Sequence, residues 1–203
     1  MVQYRPKGGF RLKRTICIGL AAFFLFAGLS WADEAPAANP LRIARWDLRA
    51  GYAYQYTNNS RPTHFQVITL LPSVTIPLSK PVGPGRFEWN PELFLSFFTH
   101  PYVRPLIGVT PLQFRYSLET QSRLRPYLMA GAGILYSNIN RRETRWDLNF
   151  NLQGAAGVYF DLGRSLSLIA EYRHIHISNA GLHEDNAGIN THTFLLGLSI
   201  KSA

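Results

Sequence analysis

From Trp46 onward, apolar and polar residues alternate. Trp46, Leu48, Ala50, Tyr52, Tyr54 and Tyr56 fall on one parity, and Asp47, Arg49, Gly51, Ala53 and Gln55 on the other. Successive side chains of an extended chain point to opposite faces, so this pattern predicts a strand with one apolar and one polar face. Asn58-Asn59-Ser60-Arg61-Pro62 ends it. A second strand runs from Phe65 through Val67 and Leu71 to about Leu78, and a Pro/Gly turn follows from Lys80 to Gly85. The third strand sets Phe87, Trp89, Leu93, Leu95 and Phe97 against Glu88, Asn90, Glu92 and Ser96. The fourth spans Leu106–Leu118. The fifth spans Arg125–Ser137, and the glycines in its middle suit tight curvature. Residues 145–160 form the sixth. The seventh sets Leu166, Leu168, Ala170, Tyr172, His174, His176 and Ser178 against Ser167, Ile169, Glu171 and Arg173. In the eighth, His192, Phe194, Leu196, Leu198 and Ile200 alternate with Thr191, Thr193, Leu195 and Gly197.

No stretch of this region carries a helical period, and none approaches the roughly 20 apolar residues of a membrane helix. Strands that cross lipid must close on themselves, because every backbone polar group needs a partner there. The expected fold is therefore all-β: an eight-stranded antiparallel transmembrane β-barrel over residues 46–203. Arg49, Glu88, Glu92, Arg115, Glu171 and Arg173 collect on the polar parity and would fill the lumen as ion pairs. The alternative is a soluble, lipocalin-like barrel, with the apolar parity turned inward and a richly charged exterior. Charged residues make up only 16% of the chain, and Trp and Tyr cluster at strand ends, which favours the membrane.

The N-terminal residues read differently. Arg5, Lys7, Arg11, Lys13 and Arg14 precede an uncharged apolar run from Ile16 to Leu29, and Ser30-Trp31-Ala32 offers a small-x-small cleavage site. This predicts a secretory signal peptide over residues 1–32, followed by a flexible Ala/Pro-rich segment over 33–45. The formal charge of +9 comes from 21 basic and 12 acidic residues; removing the five leader cations leaves 16 against 12, a net +4. The high charge is thus largely a property of the leader and does not indicate nucleic-acid binding. The single cysteine, Cys17, lies in the leader, which excludes disulfides, thiolate catalysis and zinc–thiolate sites from the exported chain. No metal-binding cluster, P-loop or dinucleotide fingerprint occurs, and no cofactor is expected.

The candidate chemistry lies at the end of the seventh strand. His176 and Ser178 are two apart and leave the same face, and Asn190 follows twelve residues after the serine. A histidine beside a serine, with an amide able to orient the ring, is the set that a serine nucleophile requires. With both termini on the periplasmic side, odd-numbered strands run outward. Ser178 then sits at the cell-surface end, on the lipid-facing parity of Leu166 and Leu168. An antiparallel hairpin brings either Asn190 or His192 close to His176. Polar groups on such a wall are costly unless they act or lie at the interface. Arg141, Arg142 and Arg145 fall in the surface loop between the fifth and sixth strands, where they could hold lipid phosphates.

The segment His-x-Ser-Asn-Ala-Gly-Leu over 176–182, followed by Asn186-Ala187-Gly188-Ile189, resembles the PagL-type lipid A 3-O-deacylases. The likeness extends more weakly to Pro126-Tyr127 and Ala130-Gly131-Ala132-Gly133. It implies an eight-stranded outer-membrane barrel with a membrane-facing His-Ser-Glu site. His176 would be the general base and Ser178 the nucleophile. Asn179, Asn186 and the backbone near Gly181 would be candidates for the oxyanion site. The implied partner is lipid A, or lipopolysaccharide, in the outer leaflet, with a homodimer left open. The family's glutamate falls at Asn190. Glu184 in the loop and His192 are alternative orienting groups. The outer-membrane phospholipase A family uses a His-Ser-Asn set, so a phospholipase-like acyl hydrolase is a second reading. A non-catalytic structural barrel is a third.

Overall fold

The computed structural model describes residues 42–55, 65–78, 80–101, 103–138, 147–183 and 186–202. The leader expected over 1–32 and most of the 33–45 segment lie outside these residues, as do Glu184 and the arginines at 141, 142 and 145. Every regular element among the described residues is a strand: β1 (Arg45–Gln55), β2 (Gln66–Pro77), β3 (Gly85–Trp89), β4 (Glu92–His100), β5 (Arg104–Leu118), β6 (Leu124–Ser137), β7 (Leu148–Asp161), β8 (Leu166–Ser178) and β9 (Ile189–Lys201).

All strand pairings among the described residues are antiparallel, and β1 pairs with both β2 and β9, so the sheet closes. β3 and β4 share one position between β2 and β5, which makes nine segments an eight-position ring. The third predicted strand is thus two. Pro91 has no N–H to give to the ladder. The buried Asn90 side chain bridges the gap instead, its Nδ2 donating to the Val74 carbonyl at 2.7 Å. The parity carries through the break. Because of it, the predicted seventh and eighth strands are β8 and β9.

The wall is layered opposite to a soluble protein. Leu128, Phe194 and Leu196 point outward and are 65%, 68% and 72% exposed. Trp46, Phe87, Phe97 and Tyr136 are exposed toward the strand ends, as the aromatic girdles of a membrane barrel require. The charged residues expected in the lumen do meet there. Arg49 pairs with Glu92 and Glu171, both at 2.9 Å, and Arg173 pairs with the same two glutamates, both at 2.6 Å. Toward the end where the described chain starts and finishes, Arg115 contacts Asp47 at 3.3 Å and Glu88 at 3.1 Å. A soluble barrel with an apolar interior is ruled out by this arrangement.

The polar filling occupies only part of the lumen. Toward the opposite end, where β8 finishes, the interior is an apolar plug that includes Phe65, Val67, Phe94, Phe98, Leu106, Leu135, Ile175, Ile177 and Ile189. Phe94 and Phe98 share the parity of Glu92 and Ser96, so the inner face of one strand mixes polar and apolar residues. Ile175, Ile177 and Ile189 seat the inner face of the β8–β9 hairpin against this plug.

Candidate active site

The period of two places Tyr172, His174, His176 and Ser178 on the outer face of β8, with Arg173, Ile175 and Ile177 buried behind them. The hairpin register then selects their neighbours on β9. His176 lies directly opposite Asn190, His174 opposite His192, and Tyr172 opposite Phe194. Directly opposed residues have Cβ atoms about 4.5–5.5 Å apart, close enough for side chains to bond. His176 Nδ1 and Asn190 Oδ1 are 2.9 Å apart. An amide oxygen can only accept, so the ring proton is on Nδ1 and Nε2 is left as the basic nitrogen.

Of the two orienting groups the hairpin allowed, the structure brings Asn190 to the ring. His192 turns elsewhere: its Nδ1 meets the Tyr172 hydroxyl at 2.5 Å, and its ring packs against His174 with centroids 5.3 Å apart. Glu184, the other alternative, falls outside the described residues.

Ser178 is half-buried at the outer end of β8, opposite Phe150 of β7. It lies one outward position beyond His176. Its hydroxyl makes no hydrogen bond to the imidazole among the described contacts.

The loop beyond the serine is tied by its own amides. The Leu182 N–H donates to the Asn179 carbonyl at 3.0 Å. Ala180 and Gly181 between them have φ of 54° and 79°. Two positive φ values define a type I′ turn. Gly181 adopts this conformation freely, whereas Ala180 is strained by it. The Gly181 N–H donates to Asn179 Oδ1 at 2.9 Å, and the Asn179 N–H donates to Asn186 Oδ1 at 3.1 Å. Asn179, Gly181 and Asn186 are thus brought together beside Ser178. The backbone donors of Asn179 and Gly181 are engaged within the loop rather than presented to a ligand.

One residue of the site has no role in the sequence reading. Gly188, with φ of 74°, passes so close to the imidazole that a Cβ there would lie 2.8 Å from His176 Cε1 and 3.5 Å from Nε2. The signal in the sequence is a glycine two residues before the orienting amide. Its meaning depends on where the loop returns. Below the site, a shallow groove runs down the outer wall, lined by Ala50, Ala156, Ala170, Tyr172, Phe194 and Leu196. Among the described residues no cluster of His, Cys, Asp and Glu is suited to hold a metal ion.

A family model described as lipid A 3-O-deacylase (PagL) matches residues 44–199. Among solved structures, the chain is similar to the outer membrane enzyme PagL, with 21% identity, TM-score 0.57, and 76% of this chain and 98% of that chain covered. It is also similar to Neisserial surface protein A, with 15% identity, TM-score 0.52, and 78% and 96% covered. At these identities both structures speak for the fold alone. Among curated proteins, none matches the chain significantly.

Proposed function

Because the chain belongs to the PagL family of lipid A 3-O-deacylases, we propose that it is an outer-membrane serine esterase that removes a fatty acyl chain from lipid A. In this reading Ser178 is the nucleophile, His176 the general base and Asn190 the group that holds the ring. The observation that carries it is the 2.9 Å bond between His176 Nδ1 and Asn190 Oδ1 on the lipid-facing wall, one position from a serine. An imidazole held this way, with Nε2 unprotonated, is a base ready to take a hydroxyl proton.

Ser178 Oγ attacks the ester carbonyl as Nε2 takes its proton. The tetrahedral intermediate collapses, the C–O bond to the sugar breaks, and imidazolium returns the proton to the departing sugar oxygen. Water, activated by the same nitrogen, then opens the acyl-enzyme and releases the fatty acid. The developing oxyanion would compete for the Asn179 and Gly181 N–H groups that now bond within the loop, with the Asn186 side chain as a further candidate. The acyl chain would lie along the wall below, over the groove that holds Ala156 and Ala170. All three side chains come from one hairpin of one chain.

The test is mass spectrometry of lipid A incubated with purified protein. Wild type should remove one acyl chain. Ser178→Ala and His176→Ala should each be slowed about 10³-fold or more, as loss of a nucleophile or its base does elsewhere. Folded wild type that leaves lipid A intact would reject the reading. An amide in the acid position favours one competitor, a phospholipase-like hydrolase. That reading predicts fatty acid release from phospholipid vesicles, lost in the same two variants.

A further inference from the structure

We propose that Gly188 is a positioning residue for His176; this rests on the reading of His176 as general base. The loop returns to β9 with Gly188 in the left-handed region, φ 74°, and its α-carbon faces the Cε1 edge of the ring. That edge lies between the two nitrogens. Asn190 fixes one of them, Nδ1, at 2.9 Å. The bare Gly188 backbone lies against the edge beside the other. A ring bonded at Nδ1 and bounded at Cε1 is held in one orientation, and the direction in which Nε2 presents its lone pair is fixed with it. A methyl group at Gly188 would stand 2.8 Å from Cε1, closer than real Cβ atoms approach a neighbour. The Ile177 carbonyl, 3.3 Å from the same position, limits retreat on the backbone side. The imidazole is the part free to give way. Its displacement would strain the bond to Asn190 and turn Nε2 out of its set direction while the barrel stays closed. A displacement of about 1 Å in a catalytic group is enough to cost about 10²-fold in rate.

Two effects of substitution have to be separated, the strain of positive φ and the collision with the ring. Asn tolerates the left-handed region better than Ala but brings the same Cβ. Gly83, in the turn between β2 and β3, has φ of 60° and only the Tyr116 hydroxyl, at 3.8 Å, near its missing Cβ. Gly83→Ala therefore carries the backbone strain without the collision.

The experiment measures kcat and KM for lipid A deacylation by wild type, Gly188→Ala, Gly188→Asn and Gly83→Ala, with heat-modifiable gel migration reporting the closed barrel. Both Gly188 variants should lose about 10²-fold in kcat with KM changed less than about twofold. Gly83→Ala should match wild type. In a His176→Ala background, Gly188→Ala should change the residual rate by less than about twofold, because a residue that acts through the imidazole is silent without it. Folded Gly188→Asn with wild-type kcat would overturn the proposal, as would a Gly188→Ala effect that persists in the His176→Ala background. If Ser178→Ala is as active as wild type, the esterase reading itself has failed. If Ser178→Ala is inactive while both Gly188 variants are fully active, only the positioning role has failed.

Discussion

At the scale of single residues, the proton on His176 Nδ1 is held by an oxygen that carries no charge. Asn190 can fix the tautomer, but it offers the imidazolium no counter-charge when the ring takes the serine proton. Asn190→Ala should therefore cost about tenfold in kcat, the order of one neutral hydrogen bond, and far less than Ser178→Ala. Asn190→Glu should raise kcat by about tenfold, since a charge-assisted bond is roughly twice as strong. Steady-state kinetics on lipid A checks both, and a fall with glutamate would show that the site is built around the amide. The outward parity of His176, Ser178 and Asn190 is legible in the sequence because the period of two leaves no choice. The choice between Asn190 and His192 is not. It depends on the register set by the loop, which opposes His176 to Asn190 and leaves His192 to Tyr172. Gly188 was illegible for the same reason: a close approach to a ring is a property of a loop path, not of composition.

At the scale of elements, the site is a property of the β8–β9 hairpin and of what stands behind it. His176 faces lipid, while Ile175 and Ile177 on either side, and Ile189 across the hairpin, are buried in the apolar plug of the lumen. Alternation thus converts inner packing into outer geometry. Ile177→Ala should cost about 2–5 kcal/mol, as truncation of a buried isoleucine does. It should also speed amide hydrogen exchange across residues 175–190 and lower kcat with the barrel still closed. Exchange unchanged in that segment would mean the plug does not hold the hairpin. Strand positions were legible from alternation throughout. The break at Asn90-Pro91 was hidden because parity survives it: Asn90 replaces the missing ladder bonds with its own side chain. The apolar plug was hidden because polar and apolar inner residues follow each other on the same parity of one strand.

At the scale of the whole molecule, the wall separates two chemistries. Outside is an apolar surface. Inside, Arg49 and Arg173 hold Glu92 and Glu171 in a closed set of ion pairs, with the Tyr127 hydroxyl donating to Glu171 at 2.5 Å. A buried pair broken on one side leaves an uncompensated charge, so Arg173→Met should destabilise the barrel by about 3–5 kcal/mol. The check is a urea titration followed by loss of heat-modifiable migration; an unshifted midpoint would contradict it. The proposed seat of catalysis is on the other side of the wall, and its most direct test is chemical. A fluorophosphonate probe, which attaches only to an activated serine, should label the detergent-solubilised protein, and peptide mapping should find the adduct on Ser178. His176→Ala should abolish the label while the barrel remains folded. An adduct on any other residue, or full labelling of Ser178 without His176, would contradict a serine activated by an imidazole on the outer face of the barrel.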